Sequence, residues 1–256
     1  MAKSLLMVHG VGCGGDVWDR MKRDFVMAGW TCETPTLFPD LRTVETPPEG
    51  LADLTLKDYC DAVSEQSDAL AQRDGENPVI IGHSMGGLIA QKLVEAGKVR
   101  AGIFLTPAQP EGCTVNDLRV VRTFWNILKV GQKTVSGRVF KVGPNGFSWG
   151  VLNVVPKDRH AEIYQQARFD SGRVYMDLAN PEAVDESKIN VPTLTIGAKK
   201  DRATVIKAVR KVGAKYAKAA RPGDYIEYGR HAHWIVDEPG TEQVSADILE
   251  WLDDRL

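Results

Sequence analysis

The sequence predicts an α/β protein: an open, mostly parallel sheet with helices on both faces and a helical insertion after the fourth strand. Three observations predict it. Short apolar runs alternate with stretches of helical periodicity, the pattern of βα units. The run Val79 to Ile81 is apolar without alternation, as in a strand covered on both faces. Between about 107 and 190 that rhythm stops for roughly eighty residues, too many for an ordinary connection.

Ser4 to Val8 reads as the first strand, ended by Gly10. Asp16 is placed to cap a helix carrying Val17, Trp18, Met21, Phe25 and Met27 at helical spacing until Gly29. A second extended segment lies near Thr31 to Leu37. Thr55 opens an amphipathic stretch in which Leu56, Tyr59, Ala62, Val63 and Leu70 share one face. The Val79 to Ile81 strand follows Pro78, and a helix with Leu88, Ile89, Leu93 and Val94 runs to Gly97. Arg100 to Thr106, Val191 to Gly197 and Tyr225 to Tyr228 complete six strands. Thr241 to Leu252 is a closing helix with Val244, Ile248, Leu249 and Leu252 inward. The sheet core is expected in residues 1–107 and 190–256, with 108–189 as a helical cap or lid. Within the cap, Leu118, Val121, Phe124, Trp125 and Leu128 recur at helical spacing beside Val120, Ile127 and Val130, so more than one face of that helix is apolar.

Composition narrows the function classes. With 256 residues, 43% hydrophobic and 26% charged, the chain can bury a large core. Thirty-two Lys and Arg against 34 Asp and Glu leave a net charge of -2, so nucleic acid is not the expected partner. No apolar run approaches the ~18 residues of a membrane span, and the apolar stretch at Leu5 to Val8 is too short for a secretory signal. A cytoplasmic location is therefore expected. The four cysteines, Cys13, Cys32, Cys60 and Cys113, are scattered without a C-x-x-C pair and read as reduced thiols. No metal and no cofactor is implied.

Gly82-His83-Ser84-Met85-Gly86-Gly87 joins a buried strand to a helix and matches G-x-S-x-G, a turn so tight that the positions flanking the serine must be bare. A serine raised on such a turn is a candidate nucleophile. It needs a base, usually a histidine oriented by a carboxylate. Of the five histidines, His9 and His83 flank glycine turns, and His160 lies among charged residues and is expected in solvent. His231 and His233 remain, between the last strand and the last helix. His233, directly before Trp234-Ile235-Val236, is the better placed because that apolar triplet anchors the loop. The carboxylate is sought beyond the carboxyl end of a strand, where open α/β sheets form their crevices. Asp201 fits; Glu111 is the nearest substitute, and Asp224 lies before its strand. Two backbone amides are candidates to hold a developing oxyanion: Met85, which follows the nucleophile, and Val11, in the loop His9-Gly10-Val11-Gly12. That loop also satisfies G-x-G-x-x-G through Gly15, but the serine turn leaves a dinucleotide-binding reading without support.

These motifs together resemble the α/β-hydrolase superfamily, specifically its serine esterases with a helical cap, in the chain order Ser, Asp, His. The resemblance rests on four segments: His9-Gly10 with Trp18 downstream, the Gly82 to Gly87 run, Pro192 to Gly197 leading to Asp201, and His233-Trp234 followed by Glu238-Pro239-Gly240. The resemblance also implies Val11 as second oxyanion donor and His233 as base. The chain departs from the pattern at Ala198, where relatives often carry glycine, and at Thr204-Val205, where they often carry a proline soon after the acid. Serine at 84 argues against the aspartate-based chemistry of epoxide hydrolases and haloalkane dehalogenases. The expected activity is hydrolysis of a small to medium, partly apolar carboxylic ester or lactone through an acyl-enzyme, with Phe124, Trp125, Phe147 and Trp149 of the cap as candidate substrate contacts. Cleavage of an amide, thioester, carbon–carbon bond or cyanohydrin by the same residues is the alternative within enzymes; a small-molecule receptor is the alternative outside them.

Overall fold

A computed structural model describes residues 3–256. In chain order its elements are β1 (Ser4–Val8), α1 (Asp19–Met27), β2 (Thr31–Glu33), α2 (Leu56–Asp74), β3 (Val79–His83), α3 (Met85–Glu95) and β4 (Ala101–Leu105). There follow α4 (Leu118–Thr123), α5 (Trp125–Leu128), α6 (Gln132–Val135), β5 (Val139–Phe140), α7 (Pro144–Gly146), α8 (His160–Gln165), β6 (Asp170–Ser171) and α9 (Gly172–Ala179). The chain closes with β7 (Thr193–Ala198), α10 (Ile206–Tyr216), β8 (Asp224–Tyr228) and α11 (Thr241–Arg255). Six strands form one sheet in the order β2-β1-β3-β4-β7-β8, every pairing parallel.

Alternate strand residues enter two separate cores, one on each face. Leu5 and Met7 of β1, Val79 and Ile81 of β3 and Leu194 and Ile196 of β7 pack with Trp18, Met21 and Phe25 near α1 and with Val244 and Ile248 of α11. Leu6, Val8, Ile80 and Phe104 point the other way, onto Tyr59 and Val63 of α2, Leu88 of α3 and Val212 of α10. Both faces are therefore dry, which is why these strands are continuous apolar runs. Strand order reverses between β1 and β3, and the crevice at such a switch point opens at the strands' carboxyl ends. Those ends carry His9 to Gly12 and Ser84.

Local details depart from the sequence reading where short-range chemistry intervenes. Thr55 does begin α2, through a capping box with Asp58. Asp16 instead lies in a 3-10 turn, Gly15–Trp18, that precedes α1, and Met27 is solvent-exposed. The expected single helix from Leu118 is broken at Phe124 into α4 and α5. The Thr123 hydroxyl donates to the Arg119 carbonyl four residues back, at 2.9 Å, a bond that bends helices. Between β4 and β7 the chain is not purely helical: β5 and β6 pair antiparallel, Val139 with Ser171 and Phe140 with Asp170.

Candidate active site

A single residue, Ser84, separates β3 from α3, and its backbone is held at φ 56°, ψ −118°. A non-glycine residue there costs about 1–3 kcal/mol and persists only when its surroundings enforce it. The surroundings do. A Cβ on Gly82 would lie 2.0 Å from the Gly86 carbonyl oxygen, and one on Gly86 would lie 2.1 Å from that of Val8. The Ser84 amide donates to Leu105 at 3.2 Å, and its carbonyl accepts from Gly87 at 2.9 Å and Ala108 at 2.8 Å. The glycines flanking Ser84 are thus steric requirements of the turn.

The loop after β8 brings His233 to this serine. His233 Nε2 is 3.1 Å from Ser84 Oγ, and Nδ1 is 2.9 Å from Asp201 Oδ2. His83, beside the serine, donates from Nε2 to the His233 carbonyl at 2.8 Å and tilts against its ring. Burial first, and the neighbouring His233 second, push the His83 pKa down to about 3, so it stays a neutral strut. His231 occupies another place: its Nδ1 meets Glu238 Oε1 at 2.8 Å, and the same oxygen accepts from the Ala232 amide at 2.7 Å. The pair braces the histidine loop from behind.

Asp201 follows β7 and is fully buried. Burial by itself raises its pKa, but the facing His233 and the hydrogen bonds from Thr204 outweigh this and hold the carboxyl below the usual range. Oδ1 accepts from the amides of Ala203 at 2.7 Å and Thr204 at 2.9 Å, and the Thr204 hydroxyl lies 2.8 Å from Oδ2. Thr204 also stands 3.3 Å from His233 Nδ1 and 2.9 Å from the Thr106 carbonyl. Sequence reasoning noted this position only as a departure from proline; its hydroxyl in fact orients the carboxylate. Glu111 is exposed, and Asp224 binds Arg255 and Trp251 at the amino end of β8, the end of the strands away from Ser84.

Gly10 approaches the serine so closely that a Cβ would stand 2.9 Å from Ser84 Cβ, and Val11, next in the loop, lines both cavities beside Ser84. The Met85 amide opens α3, where helix geometry leaves it without an intrahelical acceptor. The loop bearing Val11 is gripped from the segment that follows α8. The Gly12 amide donates to Asp170 Oδ2 at 2.5 Å, and its carbonyl accepts from the Arg168 amide at 2.8 Å. Asp170 is engaged by Arg42 through Nε and Nη2, both at 2.8 Å, and by the Tyr59 hydroxyl at 2.5 Å. Arg42 and Asp170 are both wholly buried. Arg42 further donates to the carbonyls of Cys13 at 2.9 Å and Leu37 at 3.1 Å, while the Leu37 amide donates to His9 Nε2 at 3.1 Å. Nothing in the residue spacing pointed to this network, because its members are far apart in the chain.

Two cavities flank Ser84. One of about 140 Å³ is lined by Val11, Phe124, Ile127, Tyr175 and Thr204 among others. The other, about 20 Å³, lies against His233, Gly10, Phe147 and Trp234. A larger groove of about 450 Å³ between α2, α3 and α9 contains none of these groups. Of the four cap aromatics expected at the substrate, Phe124 and Phe147 face the serine and two do not. Trp125 is 58% exposed, on the side of α5 away from the buried Ile127. Trp149 is sandwiched between the guanidinium groups of Arg122, at 4.0 Å, and Arg202, at 4.4 Å. His160, expected in solvent, is half-buried between Ser148 Oγ at 2.8 Å and the Val155 carbonyl at 2.9 Å. Among the described residues no group of three or more His, Cys, Asp or Glu is placed to hold a metal ion, and no helix is long and apolar enough to cross a membrane.

No curated protein matches the chain significantly. Solved structures match along its whole length. A monoacylglycerol lipase from Paleococcus ferrophilus is 17% identical with a TM-score of 0.70, over 100% of this chain and 96% of that one. A pyrethroid hydrolase from Sphingobium faniae JZ-2 is 16% identical with a TM-score of 0.73, over 99% and 98%. Tomato methylketone synthase I, solved with 2-tridecanone, is 15% identical with a TM-score of 0.71, over 100% of each chain. At such identities the likeness shows the fold. A model of the alpha/beta hydrolase family matches residues 5–246, nearly the entire chain. On that match, and with the serine turn and parallel sheet already described, the chain belongs to the alpha/beta hydrolase family.

Proposed function

We propose that this protein hydrolyses small-molecule carboxylic esters through an acyl-enzyme on Ser84, with His233 as general base and then acid and Asp201 as its orienting carboxylate. The observation that carries the reading is the unbroken path from Ser84 Oγ to His233 Nε2 at 3.1 Å and from His233 Nδ1 to Asp201 at 2.9 Å. In the first half-reaction Ser84 Oγ attacks the ester carbonyl carbon and its proton passes to His233 Nε2. The imidazolium, stabilised by Asp201, then protonates the departing alkoxide as the carbon–oxygen bond breaks. In the second half, water gives a proton to His233 and attacks the acyl carbon, and Ser84 regains its proton as the carboxylic acid departs. The amides of Val11 and Met85 stabilise the oxyanion in both halves; losing one such donor typically costs about 3 kcal/mol. Residues 108–189 serve as the cap, which supplies apolar walls to the cavity beside Ser84, over a core of 1–107 and 190–256.

Purified protein assayed against short- and medium-chain carboxylic esters, beside Ser84→Ala, tests the reading. Turnover abolished by Ser84→Ala supports it; turnover that survives the substitution refutes it.

A further inference from the structure

The two cavities at Ser84 differ in size and in which catalytic group they touch. When the acyl-enzyme forms, the bond between the carbonyl carbon and the alkoxy oxygen breaks, and that oxygen takes its proton from His233 Nε2. The alcohol part of an ester must therefore lie on the imidazole side. Both cavities meet Ser84, Val11 and Phe124; of the two, the one of about 20 Å³ has His233 in its wall and the one of about 140 Å³ has Thr204. A cavity that holds one water-sized group needs roughly 10–15 Å³, and one of about 150 Å³ accepts benzene.

Resting on the ester-hydrolase reading, we infer that the preferred substrates are methyl esters of apolar acids whose acyl part approaches a benzene ring in bulk. Phe147 sets the limit on the alcohol. Its ring packs edge-on against Trp234, centroids 5.8 Å apart, and against Tyr164 at 5.5 Å. Phe147, Trp234 and Cys13 also line an outer cleft carrying Asp16, Arg159 and Asp237. They form the partition between the small chamber and that polar cleft. A longer alcohol that extends toward the cleft displaces Phe147, whereas methanol needs no such movement. The acyl side has no comparable restriction, since Phe124, Ile127 and Leu128 wall it with apolar carbon.

The test uses the full chain and the methyl, butyl and hexyl esters of one acid, phenylacetic acid, followed by acid release. All three give the same acyl-enzyme, so differences in kcat/KM report its formation. The expected result is a methyl ester favoured over the hexyl ester by about tenfold or more, and a ratio reduced to about threefold in Phe147→Ala through faster hexyl turnover. Thermal melting confirms that the variant is folded, and Phe147→Leu provides a milder substitution if it is not. Equal rates for the three esters in the wild-type protein overturn the small-alcohol inference and leave ester hydrolysis standing, as does an unchanged ratio in a folded Phe147 variant. Failure to turn over any of the three, with Ser84 unlabelled by a phosphonate, overturns the ester-hydrolase reading as well.

Discussion

Replacing Asp170 by alanine tests how the loop bearing Val11 is held. The substitution removes the acceptor of four donors at once: the Gly12 amide, two nitrogens of Arg42 and the Tyr59 hydroxyl. Arg42 then stays buried with carbonyls, His9 and the Tyr59 ring but no carboxylate. Breaking a buried ion pair from one side costs about 3–5 kcal/mol, because the remaining charge is left uncompensated. The orphaned amide and hydroxyl add to this, although not additively. Urea denaturation should show that loss, and in a chain of this size the melting temperature should drop by roughly 6–15 °C. Well below that temperature turnover should fall as well, by up to about a hundredfold, since a displacement of about 1 Å in the Val11 loop misaligns the proposed oxyanion amide. Removing both charges in the pair Asp170→Leu with Arg42→Met should recover most of the stability. A loss below about 1 kcal/mol in Asp170→Ala, or a double variant no more stable than the single, would show that the buried pair does not hold this loop.

Two other consequences are open to simple measurement. His83 is held neutral when folded, its pKa near 3 against an ordinary 6.5, and burial depresses His9 in the same direction. Below pH 6.5 the unfolded chain binds protons that the folded one refuses, so stability should decline as pH falls from 6.5 toward 3. Urea midpoints across that range should trace the decline, and a flat profile would contradict it. Removing the Thr204 hydroxyl in Thr204→Val should cost about 1–3 kcal/mol as a buried carboxylate loses a donor, with Thr204→Ser restoring most of it. Equal midpoints for the Val and Ser variants would sink that assignment.

How much of this was readable beforehand follows from the range over which each interaction acts. The parallel sheet was legible because both faces of each strand are covered, so Val79 to Ile81 and its counterparts carry no polar alternation. The serine turn was legible because Gly82 and Gly86 answer to contacts within a few residues and to the strand beside them. Asp201 and His233 could be placed at strand ends, but the sequence does not reveal that a threonine supports the acid. The region between β4 and β7 was harder. Its helices are three to eight residues long, too short for periodicity to reveal which face is buried. Aromatic character alone accordingly does not tell Trp125 and Trp149 from Phe124 and Phe147. The Arg42–Asp170 pair spans 128 positions, and an isolated charge in sequence carries no sign that it is destined for the interior.

If Ser84 is the nucleophile, mass spectrometry after treatment with an active-site phosphonate will find one adduct per chain, located on Ser84, formed slowly or not at all in His233→Ala and absent in Ser84→Ala. An adduct on another residue, or an intact Ser84 after prolonged exposure of the folded wild-type protein, would contradict it.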